Sequence, residues 1–66
     1  MSDFECRLRK YRQLLEMTQV ELAQRVGARR ETIMRLEKAQ YNPSLKLAVD
    51  ISRVVDVPIE EIFIFK

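Results

Sequence analysis

The chain has 66 residues, with 12 Lys plus Arg against 10 Asp plus Glu, a formal charge of +2, 47% apolar and 33% charged residues. These numbers describe one domain over residues 1–66, and a chain this short hides only about 60% of its unfolded surface, which argues against a deep catalytic pocket. With no His and Cys6 as the one cysteine, a disulfide framework and a Cys/His zinc site are excluded. The longest apolar run, Ile62–Phe65, is far below the roughly 20 residues of a membrane span. No apolar secretion segment stands at the N-terminus, so the expected location is the cytoplasm. Cys6 reads as a small hydrophobe, and no cofactor is expected.

Apolar residues at three and four spacing predict a chain of short helices. Phe4, Leu8, Tyr11 and Leu15 form one stripe, giving a first helix over about residues 3–15. Thr18, three residues before Glu21, forms a capping box for a second helix over about 19–25, and Gly27 stops it. Ile33 and Leu36 restart the period in a third helix over about 29–38, so residues 18–38 form a helix-turn-helix. Pro43 breaks the chain and Ser44 caps a fourth helix over about 45–55, with Leu45, Ala48, Ile51 and Val55 inward. Pro58 suits the first turn of a fifth helix over about 58–63.

The segment Thr18-Gln19-Val20-Glu21-Leu22-Ala23-Gln24-Arg25-Val26-Gly27, followed by Arg30-Glu31-Thr32-Ile33 and Leu36-Glu37, resembles the phage repressor and Cro-like helix-turn-helix family (XRE family). Tyr41-Asn42-Pro43-Ser44-Leu45 and Glu60-Glu61-Ile62-Phe63 resemble its small single-domain members. The resemblance spans about residues 7–63. It implies an all-α, lambda-repressor-like five-helix bundle and a sequence-specific, nucleoid-associated regulator of transcription, in first place a repressor, with double-stranded DNA as partner. The residues agree mechanically. Ala23 is small where two helices cross, Gly27 can take a left-handed turn, and Leu22, Val26, Ile33 and Leu36 hold the pair at one angle.

Charge locates the reading face. Arg7, Arg9, Lys10 and Arg12 make one basic segment; Arg25, Arg29, Arg30, Arg35 and Lys38 against Glu31 and Glu37 make another; Asp50, Asp56, Glu60 and Glu61 make an acidic one. Counting about 100° per residue from Ile33 turns Glu31, Arg35 and Lys38 away from the core. Arg29 and Arg30 fall in the first turn, which meets base edges in the major groove. Arg can bond guanine O6 and N7 together and Glu can accept from cytosine N4, so Arg29, Arg30, Glu31 and Arg35 are the expected base readers. The expected phosphate contacts are Gln19, at the start of helix 2, with Lys38, Gln40, Asn42 and Lys46. The roles of Gln19, Gln40, Asn42 and Lys46 are those the resemblance implies.

By the same count Arg12 and Glu37 face the core, and an unpaired buried charge is costly, so the two are expected to pair and tie helix 1 to helix 3. The resemblance implies the same pair. Three departures from the family pattern matter. Glu16 and Ala39 stand at turn positions where Gly or Asn is usual, and Arg29 replaces the usual Ser or Thr cap of helix 3.

Ile59, Ile62, Phe63, Ile64 and Phe65 crowd the end of the chain, and residues 59–66 are expected to form a homodimer contact in which 62–65 can pair as a short strand. The alternative is a tail folded onto its own core. Leu14 and Met34 are secondary contact candidates. Two rival functions stay open: an antitoxin-like module whose DNA binding serves a protein partner, and an RNA-binding bundle, disfavoured because Tyr11 and Phe63 read as buried rather than as stacking platforms. Catalysis lacks its parts.

Overall fold

The structure is a computed structural model that describes residues 4–65. Its elements in chain order are β1 (Phe4–Cys6), α1 (Leu8–Leu14), α2 (Gln19–Val26), α3 (Arg30–Glu37), α4 (Leu45–Val55), α5 (Ile59–Ile62) and β2 (Phe63–Phe65). The expected start of helix 1 at residue 3 and the last residue of the expected tail lie outside the described residues.

Local chemistry starts two helices where the sequence indicates. Thr18 Oγ1 accepts the Glu21 N–H at 3.0 Å while Glu21 Oε1 accepts the Thr18 N–H at 2.9 Å. Ser44 Oγ accepts the Leu47 N–H at 3.1 Å. The ends of α1, α2, α3 and α4 share one device, a residue in the left-handed conformation: Glu16 (φ 54°), Gly27 (φ 68°), Ala39 (φ 56°) and Asp56 (φ 57°). At α3 the Gln40 N–H reaches the Arg35 carbonyl at 2.9 Å and the Ala39 N–H the Leu36 carbonyl at 3.0 Å, so carbonyls that α3 leaves open find donors. Only one of the four is Gly. The departures at Glu16 and Ala39 therefore keep the turn and carry its backbone strain, and Asp56 adds a third such site.

The core gathers Leu8, Met17, Leu22, Ala23, Ile33, Leu36, Ala48, Ile51, Val55, Ile62 and Phe63, with Phe4 beside them. Here the first helix needs correction. Phe4 is buried, but from a strand: β1 pairs antiparallel with β2, Phe4 opposite Phe65 and Cys6 opposite Phe63. The Phe4 ring meets Phe63 edge-on at 6.2 Å and Phe65 at 5.5 Å. Helix α1 also ends earlier than the stripe implied. Leu15 is half exposed past its last turn, and Met17 fills the core instead. Pro58 precedes the first residue of α5, in extended backbone, where its missing N–H leaves no bond unmade.

The tail needs a second correction. Ile62 and Phe63 are buried within the chain, β2 pairs with β1 of the same chain, and neither residue can serve a dimer face. Ile59 and Ile64 are half buried, and Phe65 remains 64% exposed. No helix among the described residues is long and apolar enough to cross a membrane.

Candidate nucleic-acid interface

Helix α3 presents two unlike sides. Ile33 and Leu36 are sealed in the core, while Arg29, Arg30, Glu31, Arg35 and Lys38 stand in solvent. Arg29 is extended (φ −93°, ψ 152°), donates no cap and precedes the first helical residue, Arg30. Its side chain is left for other partners.

A buried charge pair lies behind this face. Arg12 Nε donates to Glu37 Oε2 at 2.6 Å and Nη2 to Oε1 at 3.2 Å, with side chains only 10% and 4% exposed. Arg12 Nη1 also donates to the Met17 carbonyl at 2.8 Å, so one guanidinium closes the α1–α2 turn and fastens it to α3. Gln19 Nε2 donates to Glu37 Oε1 at 3.0 Å. The pair expected from the sequence is thus present, and it also holds the amide of Gln19.

Two hollows flank α3. One, of about 590 Å³, lies where α1 and the start of α2 meet α3; Arg9, Gln19, Arg30, Met34 and Lys38 line it, with the Arg12–Glu37 pair in its wall. Met34 thus sits among these polar groups and not on an apolar contact face. The other, of about 370 Å³, lies towards α4 and is lined by Arg29, Thr32, Tyr41, Ser44, Lys46 and Asp50 among others. Lys46 Nζ there donates to Asp50 Oδ2 at 2.7 Å. Glu31 and Arg35 line neither hollow and stand exposed on α3.

Not every expected contact is gathered here. Gln40 is exposed past the end of α3. Asn42 lines a third hollow, mostly apolar, with Pro43, Leu45, Ala48, Ile59, Phe63 and Phe65. Leu45 is 78% exposed there, so the inward position expected for it is wrong: the first turn of α4 overhangs the core edge. Leu14 is 71% exposed at the far end of α1. Sequence reasoning counted Arg9 in a basic segment and Tyr41 in the family motif but gave neither a contact. A count on α1 that put Arg12 inward also put Arg9, three residues earlier, near the same side, and would have singled it out.

Electrostatics at the caps is modest. The Thr18 N–H and hydroxyl hold the Glu21 carboxyl below its usual range. Burial pushes the Cys6 thiol up, away from the thiolate.

A helix pair locked by buried apolar residues, whose second helix carries a row of solvent-facing Arg and Lys between two partly basic hollows, defines a DNA-binding helix-turn-helix protein. The chain matches the HTH_3 helix-turn-helix family over residues 8–62 and belongs to it. It is 61% identical over 59 residues to an uncharacterized HTH-type transcriptional regulator of Archaeoglobus fulgidus, covering 89% of this chain and 83% of that one. A second such regulator, from Methanothermobacter thermautotrophicus, is 52% identical over 58 residues, covering 86% and 84%. Among solved structures, the restriction-modification controller protein C.AhdI from Aeromonas hydrophila superposes with a TM-score of 0.76 at 29% identity, over 83% of each chain. The chain is therefore a DNA-binding regulator of the helix-turn-helix type and not an enzyme.

Proposed function

We propose that the protein is a sequence-specific repressor that binds a near-palindromic duplex as a homodimer, with α3 in the major groove. The observation that carries this reading is the outer side of α3: Arg30, Arg35 and Lys38 form no side-chain hydrogen bond or ion pair among the described residues, over a rigid core. Free cations on a fixed helix suit bases and phosphates of a polyanion. Arg29, Arg30, Glu31 and Arg35 read base edges. Gln19 and Lys38 hold the backbone on the α1 side of α3, and Lys46, with Gln40 in the loop after α3, holds it on the other; Asn42, in the apolar hollow, is left out of this set. Lys46 must exchange its Asp50 partner for a phosphate.

The dimer forms on the face where Leu45 and Phe65 stand exposed beside Pro43 and Ile59, a narrower patch than the whole tail. A protomer with extents of 28 × 21 × 20 Å leaves room for two recognition helices about 34 Å apart, one turn of DNA. Selection of bound sites from random duplexes, then titration at fixed salt, tests the reading. A palindromic consensus bound about 10³-fold or more above random sequence is expected. A preferred duplex bound no tighter than random DNA overturns sequence-specific regulation.

A further inference from the structure

We infer that Arg9, which lies on α1 outside the helix-turn-helix, is a DNA-backbone anchor that grips one phosphodiester together with Gln19 and Lys38. The inference rests on the DNA-binding reading and adds a contact from a different element.

Placement comes first. Arg9 and Arg12 are three residues apart on α1 and share a side of the helix. Arg12 is fixed to Glu37, Gln19 donates to the same Glu37 carboxylate, and Lys38 is the next residue after Glu37. One buried pair therefore sets the positions of Arg9, Gln19 and Lys38 around one hollow.

Charge comes second. Other cations near the start of the chain have an occupation: Arg7 pairs with Glu5 at 2.8 Å, Arg12 with Glu37, and Lys10 lies over the Tyr11 ring at 5.5 Å. Arg9, Arg30 and Lys38 have none among the described residues, yet all three line the same hollow. Like charges around a concavity raise one another's energy and focus a positive potential into it. The one carboxylate in its wall, Glu37, is already committed to Arg12 and Gln19.

The ligand class follows. A base edge, the partner assigned to Arg30, brings no net charge to answer Arg9 and Lys38, whereas a phosphodiester brings one and two free oxygens that match the guanidinium fork. Arg9 thus sets affinity and salt dependence and leaves sequence choice to α3.

Arg9→Gln titrated against the selected duplex and random DNA at several salt concentrations tests this, with Arg25→Gln as control because Arg25 lines a separate hollow beside Glu21 and Val54. Arg9→Gln is expected to weaken both duplexes equally, about 3- to 10-fold, and to lower the salt slope by about 0.9. Arg9→Lys should keep most of that slope, and Arg25→Gln should leave it unchanged. One neutral methylphosphonate, walked along the selected site, should abolish the Arg9 effect at a single position. An unchanged slope for Arg9→Gln, an equal drop for Arg25→Gln, or no position that couples overturns the anchor while the DNA-binding reading stands. Failure of the unmodified protein to bind any duplex overturns both. Circular dichroism confirms the fold of each variant.

Discussion

The α3 face and the face shared by α4, α5 and β2 are finished in opposite ways. At α3 every apolar side chain of the helix's inner row is sealed and the cations are left without internal partners. At the other face Ser44 caps α4, β1 pairs with β2, and Leu45 and Phe65 are left in water. Unanswered charge suits a polyanion; unanswered apolar area suits a protein surface. The two faces abut in the first turn of α4, where Lys46 lines the hollow beside α3 and its neighbour Leu45 the apolar one. A rotation of about 100° between consecutive residues of one helix is thus enough to part the cationic surface from the apolar one.

The largest expected effect tests what lies behind both faces. Arg12→Ala or Glu37→Ala leaves a buried charge alone and should cost about 3–5 kcal/mol of unfolding free energy in a urea titration. Unchanged stability would show that the two faces do not depend on this pair. Next, Leu45→Asp or Phe65→Asp should give a folded monomer by sedimentation and circular dichroism, with binding to the selected duplex weakened by about 10²–10⁴ through lost avidity. A variant that remains a dimer moves the contact elsewhere, and an unmodified protein that is monomeric makes the apolar face a site for a different protein, as in an antitoxin-like module.

Smaller effects sharpen the division. Arg30→Ala or Arg35→Ala should lose about 1–3 kcal/mol on the selected duplex and relax its consensus, with no change in unfolding midpoint. Equal losses on selected and random DNA would make Arg30, which shares a hollow with Arg9, a phosphate contact instead. Ala39→Gly should raise stability by about 1 kcal/mol in the same urea titration, because Gly carries no Cβ into the left-handed turn. A loss would show that the Ala39 methyl packs more than it strains. The smallest effect is one of pH. Glu21 is held below its unfolded range by Thr18, so its contribution is present above the unfolded carboxyl value and lost as pH falls through the folded one. Glu21→Gln should flatten that acid limb of the stability profile.

Elements decided by neighbouring residues were legible in the sequence. Thr18 with Glu21, Gly27 and Ser44 set their boundaries through bonds spanning five residues or fewer, and the Arg12–Glu37 pair followed from helical angles together with the cost of an unpaired buried charge. What stayed hidden depends on partners remote in the chain. Phe4 fits a helical stripe equally well, and only its pairing with Phe65 makes it a strand residue. The apolar run Ile62–Phe65 carries no mark that half of it faces inward. Leu15 kept the period but lost the helix, because the left-handed turn at Glu16 redirects the chain and brings Met17 inward. Arg9 escaped because its meaning lies in a hollow built by three elements.

The pairing of Phe4 with Phe65 also bears on the order of assembly. Closing β1 on β2 joins opposite ends of the described chain, and the entropy of closing a loop grows with its length, so this small sheet is expected to form after the α2–α3 unit, which needs only short-range closure. Unfolding should run in reverse, with the backbone amides of β1 and β2 exchanging with solvent before those of α3, so that the apolar face around Phe65 loosens while α3 is still formed.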